Sequence, residues 1–423
     1  MTQRRPFSGV LWLVYISLVL LALIAKPSPY RKLFFLPIPP LTAYVLLLTT
    51  TGDFNTDYIL GLFWLLLFWF ASDYILITDV QRTLYQVSPT RTVANKNKNE
   101  NEKELIEYKS VWRRTRWALA LLLSPRGVGW AHKPTTAFPA HPAAGTSRLA
   151  FIAHRLLTAF FLFIVHDAAN LHVRWNPMFR ADGSGWTADG WGWRALVVMG
   201  WAVSSYTIIF LIATIISVVG VACGLSYPEE WPPFFGSPAE AYTIRRLWGR
   251  TWHQLMRRFI TTHGKFFAHR VLGLRPGTNA SSYIQLFTAF LLSASVHYGA
   301  EVIALRSWHG GAFVFFMLQP FAIILEGFVL HIARSAGLKN GFAVRLVGYA
   351  WVWAWFTLTL PVWQGPLGWA GHTDEGLPEG RCSGAQGVDA LSVDVERTTV
   401  FDCGAISAIR RYLIKNINRL FHS

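Results

Sequence analysis

Runs of about 20 predominantly apolar residues recur along this chain, and that length matches a helix crossing the hydrocarbon of a bilayer. No other feature limits the fold so strongly. A backbone in lipid must satisfy its own N–H and C=O groups, and a helix does this within one segment. The runs are Val10–Ala25, Leu33–Thr50, Tyr58–Ile77, Leu149–Asn170, Ala195–Leu225, Tyr283–Leu305, Ala312–Ile332 and Ala343–Val362. The expected fold is therefore all-α, a polytopic membrane bundle of about eight transmembrane helices. Composition agrees: 52% of the 423 residues are hydrophobic and 15% charged, whereas soluble proteins average roughly 25% charged. Arg4 and Arg5 precede the first run, but no small-residue cleavage pattern follows it, so it reads as a retained anchor.

Between the runs lie two long basic stretches, Arg82–Arg148 and Ser226–Asn279, separated by two spans and hence on one side of the membrane. Positive loops face the cytosol, which places both there and the N-terminus in the lumen, against Arg4 and Arg5. The net charge of +16 has the same origin, or serves an anionic cofactor. No basic soluble domain stands apart, which argues against a nucleic-acid partner. Within the cytosolic loop 80–148, Lys96–Lys103 is polar and reads as flexible. Val111–Leu123 mixes Trp112, Arg113, Arg114, Arg116 and Trp117 with aliphatic residues. It is either a helix lying at the membrane surface or a loop packed on the protein. The membrane domain is taken as 1–370, with its motif core at 227–301. Residues 371–423 form a polar tail in which Ala408–Phe421 suits a short basic amphipathic helix. In a lumenal tail Cys382 and Cys403 can pair, or stay as two free thiols. The three cysteines form no CxxC, so neither a zinc nor a redox site is expected, and no metal is assigned.

Chemistry-bearing residues concentrate in Glu229–Glu301. His297 sits in the apolar run Phe287–Leu305, where desolvation favours the neutral imidazole that a general base requires. Glu301 is four residues on, placed either to orient that imidazole or to cap the span. His253 follows Trp248 and Trp252, which lie one helical turn apart and form an anchoring face. Arg245, Arg246, Arg250, Arg257, Arg258, Lys265, Arg270 and Arg275 either follow the positive-inside bias or seat the phosphates of a coenzyme. A serine or cysteine nucleophile is not expected: there is no GxSxG, and Ser295, two residues from His297, faces another way. Glu326 and His331 lie within the seventh run and suggest a chamber lining.

Glu230-Trp231-Pro232-Pro233-Phe234-Phe235-Gly236, Leu247-Trp248-Gly249-Arg250-Thr251-Trp252-His253-Gln254 and Ser295-Val296-His297-Tyr298-Gly299 occur in that order. Together they resemble the wax-synthase-like branch of the membrane-bound O-acyltransferases. In fungi that branch includes acetyltransferases that decorate terpenoids and meroterpenoids. The resemblance implies a helical bundle enclosing an intramembrane chamber, entered by acyl-CoA from the cytosol and by an alcohol from the membrane. It assigns His297 as the family's near-invariant histidine and His253 as a second catalytic position, often Asn in the wider superfamily. Substrate or cofactor binding falls to Trp248, Arg250, Trp252, Arg257, Arg258, Ser293 and Glu301. The expected activity is acetyl-CoA-dependent O-acetylation of a terpenoid or meroterpenoid alcohol, in the endoplasmic reticulum membrane, with acetyl-CoA as co-substrate. One alternative is wax-ester synthesis from long-chain acyl-CoA and fatty alcohol. Another is a transporter with His154, Asp167, His297 and Glu326 along its path, which the absence of a visible internal repeat disfavours.

Overall fold

The computed structural model describes residues 4–86, 106–131, 139, 141–143, 145–175 and 190–374. The Lys96–Lys103 segment, the Cys382–Cys403 pair and the Ala408–Phe421 stretch lie outside the described residues. Twelve helices account for nearly all the regular structure among those residues. They are α1 (Gly9–Ile24), α2 (Ile38–Leu48), α3 (Phe54–Ser72), α4 (Val80–Thr83), α5 (Val111–Leu122), α6 (Arg148–Trp175), α7 (Trp191–Ala222), α8 (Ile244–Arg246), α9 (Arg257–Lys265), α10 (Asn279–Leu305), α11 (Ala312–Ser335) and α12 (Phe342–Asp374). Two short strands, β1 (Arg5–Pro6) and β2 (Thr49–Thr50), pair in parallel.

Seven segments among the described residues are long and apolar enough to cross a membrane: Pro29–Leu48, Phe54–Ile77, Arg148–His172, Trp191–Ala222, Asn279–Leu305, Ala312–Ser335 and Phe342–Leu367. The eighth expected span, α1, has only 16 residues, or about 24 Å of helix, short of a bilayer core. Its ends are nevertheless tied to opposite ends of the bundle. The strand before it pairs with Thr49–Thr50, just ahead of α3. The carbonyls of Leu23 and Ala25 accept from Gln81, just beyond α3. α1 thus runs alongside α3 in the same direction.

Side chains with short polar arms fix where helices begin. Asp53 accepts from the Thr56 amide at 2.7 Å and starts α3; Thr278 accepts from Ser281 at 3.2 Å and starts α10. Buried Asp57 collects the Thr51 amide and the hydroxyls of Thr50 and Thr51, so the turn into α3 is rigid. α10 is the axis of the fold. Its Leu292, Val296 and Ile303 belong to a core built with α1, α2, α3 and α5. Its Phe290, Ala294 and Ala304 belong to a second core built with α7, α11 and α12. α3 and α10 approach so closely that a Cβ at Gly61 would lie 2.6 Å from the Ala300 Cα, and one at Gly299 would meet Leu65. Glycine lets the two backbones touch here.

The Val111–Leu123 alternatives both hold in part. α5 buries Trp117, Ala118 and Leu121 in the first core, while Val111, Trp112, Leu119 and Leu123 stay exposed beside Arg113 and Arg116. Exposed apolar side chains also run along α6 (Leu156, Leu157, Phe160, Ile164), as a lipid-facing helix requires.

Candidate active site

A chamber of about 2580 Å³ opens inside the bundle, bordered by α3, α6, α7, α10, α11, α12 and the 223–278 loop. Small-molecule pockets usually hold about 300–1,000 Å³, so this one has room for two substrates at once. Ser282 and His297 both line it. They are fifteen residues apart on α10, so the chamber runs about 22 Å along that helix.

His297 stands on the chamber wall. Its ring stacks on Phe316 at 4.6 Å between centroids, with 11° between planes. Trp363 meets it edge-on at 4.9 Å. Its Nδ1 lies 3.5 Å from the Tyr58 hydroxyl oxygen. These contacts hold the ring in one orientation. Ser293 is one turn earlier on the wall, its hydroxyl donating to the Ala289 carbonyl at 3.0 Å.

The second histidine arrives from the loop. Leu247–Thr251 forms a wide turn after α8, ending at Trp252 and His253. Gln254 fastens this turn by donating to the Trp248 and Trp252 carbonyls at 3.2 and 2.6 Å. Arg257 in turn donates to Gln254 and to the Gly249 carbonyl. The Trp-Pro-Pro-Phe-Phe-Gly stretch docks on the same turn: Gly236 donates to the Thr251 carbonyl at 2.9 Å, and a Cβ there would strike the Arg250 carbonyl. Two prolines deprive this stretch of donors, and its carbonyls are used instead. Arg155 holds the Trp231 carbonyl at 2.6 Å, and Arg126 holds Pro233 at 2.9 Å while lying 5.1 Å over the Phe234 ring. His253 packs among Phe234, Phe235 and Trp252, and its Nδ1 is buried with no partner among the described residues. Burial, followed by the Arg126 cation, pushes its pKa down from 6.5 to about 4. Arg126 itself is pushed down to about 10, by burial and then by Arg155.

Trp248 joins the two halves. Its ring contacts Phe290, Phe316 and Phe356, each at 6.0 Å, so Phe316 touches both Trp248 and His297. Its Nε1 donates to Gln319 at 3.3 Å, an oxygen shared with Trp355.

The chamber wall thus brings together His297, His253, Trp248, Trp252, Arg257 and Ser293. Three expected binding residues lie elsewhere. Arg250 pairs with Glu240 at 3.1 Å. Arg258 pairs with fully buried Asp73 at 3.0 Å. Glu301, also fully buried, accepts the Ala312 amide at 3.0 Å and caps α11. Of the eight cations in the loop cluster, Arg245 and Arg257 reach the wall. Glu326 does not line the chamber: its carboxyl accepts the amides of Ile244 (2.7 Å) and Arg245 (3.2 Å), capping α8. His331 is exposed, as is His154. The residues suggested for a transport path therefore do not share one cavity. Tyr58, Arg126, Phe316, Gln319 and Trp363 were not singled out in the sequence. The one available hint was a hydrogen-bonding side chain, such as Gln319, inside an apolar run.

A polytopic helical bundle encloses a large apolar chamber with two histidines and several arginines on its wall, an arrangement suited to a membrane-embedded enzyme. Residues 231–318 match the membrane bound O-acyl transferase family. Over 383 residues the chain is 34% identical to the acetyltransferase eriL of Hericium erinaceus, covering 89% of this chain and 95% of that protein. It is 34% identical to the acetyltransferase ple2 of Rhodocybe pseudopiperita over 85% of this chain and 91% of that one. The acetyltransferase aurG of Calcarisporium arbuscula is 30% identical over 61% of this chain and 66% of its own length. No solved structure matches. The chain belongs to the membrane bound O-acyl transferase family. It is a multi-pass membrane acyltransferase, and this membership sets the transporter reading aside.

Proposed function

We propose that the enzyme moves an acetyl group from acetyl-CoA to a hydroxyl of a terpenoid or meroterpenoid alcohol, in the endoplasmic reticulum membrane. The reading rests on His297, a chamber-wall imidazole on α10 held by Phe316, Trp363 and Tyr58. Its Nε2 takes the acceptor's hydroxyl proton as the oxygen attacks the thioester carbonyl carbon. The tetrahedral intermediate then collapses, the C–S bond breaks, and the imidazolium returns the proton to the departing sulfur. Ester and free CoA leave, and the base is neutral again. Such general-base help is worth about 10²–10⁴-fold. Holding both substrates together out of bulk water supplies much of the rest. Arg126, Arg245 and Arg257 provide positive charge on the wall for the coenzyme's phosphates. Trp248, Trp252 and His253 flank the acyl-CoA. The relatives' being acetyltransferases by name supports acetyl as the group transferred, and the apolar chamber suits a bulky, membrane-soluble acceptor.

The test uses microsomes containing the wild type or His297→Ala, labelled acetyl-CoA, and a lipid extract of cells lacking the gene as the acceptor source. Labelled ester should form with the wild type and fall by about 10²-fold or more in the variant. Wild-type turnover in His297→Ala removes the base. Preference for long-chain acyl-CoA in the same assay replaces acetylation by wax-ester synthesis.

A further inference from the structure

A histidine acting as base at Nε2 must carry its proton on Nδ1, and the partner of Nδ1 decides whether it does. Within many enzymes that partner is a carboxylate. The carboxylate four residues from His297 is engaged elsewhere: Glu301 is committed to the Ala312 amide at the start of α11. What faces Nδ1 is the hydroxyl of Tyr58, which comes from α3, 239 residues away in sequence.

We propose that Tyr58 is the positioning residue of the acyl transfer, its hydroxyl oxygen accepting the Nδ1 proton of His297 so that Nε2 is left free to take the acceptor's proton. The opposite arrangement, with Tyr58 donating into Nδ1, would put the proton on Nε2 and leave no base. The inference rests on the reading of His297 given above.

The fold supports this placement independently of the contact itself. Tyr58 lines the chamber on the α3 face that also carries Asn55, Leu62 and Leu66. The height of α3 against α10 is locked at three points: Gly61 against Ala300, Leu65 against Gly299, and the Trp69 Nε1 donating to Ser295 at 2.9 Å. At its start, the Asp53 cap and the Asp57 cluster prevent α3 from sliding or unwinding. His297 for its part cannot turn away, because Phe316 lies flat against its ring and Trp363 blocks the edge. At 3.5 Å the Tyr58–His297 approach is longer than a fully formed N–H···O bond, about 2.7–3.2 Å. Catalytic hydrogen bonds are often this long before substrates bind and tighten in the complex.

The experiment compares wild type, Tyr58→Phe, His297→Ala and the double variant in microsomes, with labelled acetyl-CoA and the gene-deleted lipid extract as acceptor source. Removing one oxygen keeps the ring and its packing. The expected result for Tyr58→Phe is an apparent kcat lower by about tenfold, the value of one neutral hydrogen bond. The KM for acetyl-CoA and the thermal unfolding temperature of the purified protein should both stay at wild-type values. A wild-type kcat overturns the proposal. So does a loss carried by KM, or a fall in kcat matched by a fall in unfolding temperature, since either gives Tyr58 a merely structural part. In the His297→Ala background the Tyr58→Phe change should add nothing to whatever rate remains. If His297→Ala is inactive while Tyr58→Phe is normal, the tyrosine is excluded and the base stands. If His297→Ala is fully active, both fall.

Discussion

The buried carboxyl of Glu326 offers the sharpest test of how the loop motif is held. Glu326→Ala removes the acceptor of two backbone donors, Ile244 at 2.7 Å and Arg245 at 3.2 Å. Each such hydrogen bond contributes about 1 kcal/mol net, and each amide left without a partner costs up to about 1–3 kcal/mol. The expected destabilisation of α8 against α11 is therefore about 2–4 kcal/mol. At 1.4 kcal/mol per factor of ten, the docked state of the motif loop loses roughly 30-fold to several hundred-fold of its advantage. Trp248 lies two residues beyond α8, so it and His253 move with that equilibrium. Limited trypsin digestion reads the undocking directly, because Arg245 and Arg246 are its targets. Wild-type protein should resist cutting there, Glu326→Ala should be cut readily, and acyl transfer should fall in proportion. Glu326→Gln keeps one acceptor oxygen and should lie between the two. Unchanged digestion and turnover in Glu326→Ala would show that the loop is held by its aromatic contacts alone, and the capping argument would be wrong.

Two further outcomes follow from the same loop. Gly236→Ala drives a methyl group into the Arg250 carbonyl and breaks the Gly236–Thr251 bond. It should cost about 1–3 kcal/mol of unfolding stability, with turnover lowered and the KM for acyl-CoA raised. His253 carries a pH signature. Its folded pKa of about 4 lies below the ordinary 6.5, burial being the main cause and Arg126 the second. The unfolded chain therefore binds this proton more readily. Its stabilising contribution is complete above pH 6.5 and declines as pH falls toward 4. Melting temperatures at pH 7 and pH 5 should differ more for the wild type than for His253→Gln, and an equal difference in both would contradict the shift.

Most of the bundle was legible in the sequence because a membrane span is a local property, readable from one run of residues. Only α1 fell short of a full span, and its contribution depends on tertiary ties at Arg5–Pro6 and Gln81 that no window on the sequence reveals. His297 and His253 stood out because each is a polar residue in an apolar or tryptophan-rich setting. Tyr58 did not stand out, since tyrosine at the end of a span is ordinary at a membrane interface, and its partner is distant in sequence. The arginines were visible as charge but not as pairs. Glu240 takes Arg246 and Arg250, and Asp73 takes Arg258, which removes three of the cluster from the chamber. Glu301 illustrates the limit of helical spacing. Glu301 shares a helix face with His297 but lies about 6 Å further along the axis, where its carboxylate meets the Ala312 amide at the start of α11 instead.

α11 is the element through which these parts are kept in register. Its first amide is capped by Glu301 of α10. One turn on, Phe316 lies against His297 and Trp248 together. Gln319 accepts from Trp248, and Glu326 receives the amides of α8. Positions 312, 316, 319, 323 and 326 fall on one helical face, and Ala312 to Glu326 spans about 21 Å. A single rigid rod therefore sets the distance between His297 on α10 and the tryptophan loop, although the two come from separate parts of the chain. Pro320, buried midway, cannot donate to the carbonyl one turn back. It leaves the Phe316 carbonyl without its helical partner at the level of the two aromatic contacts. Substitutions along this face should thus disturb both halves of the site at once, whereas substitutions on the exposed face, at Phe321, Leu325 or Phe328, should leave their spacing intact.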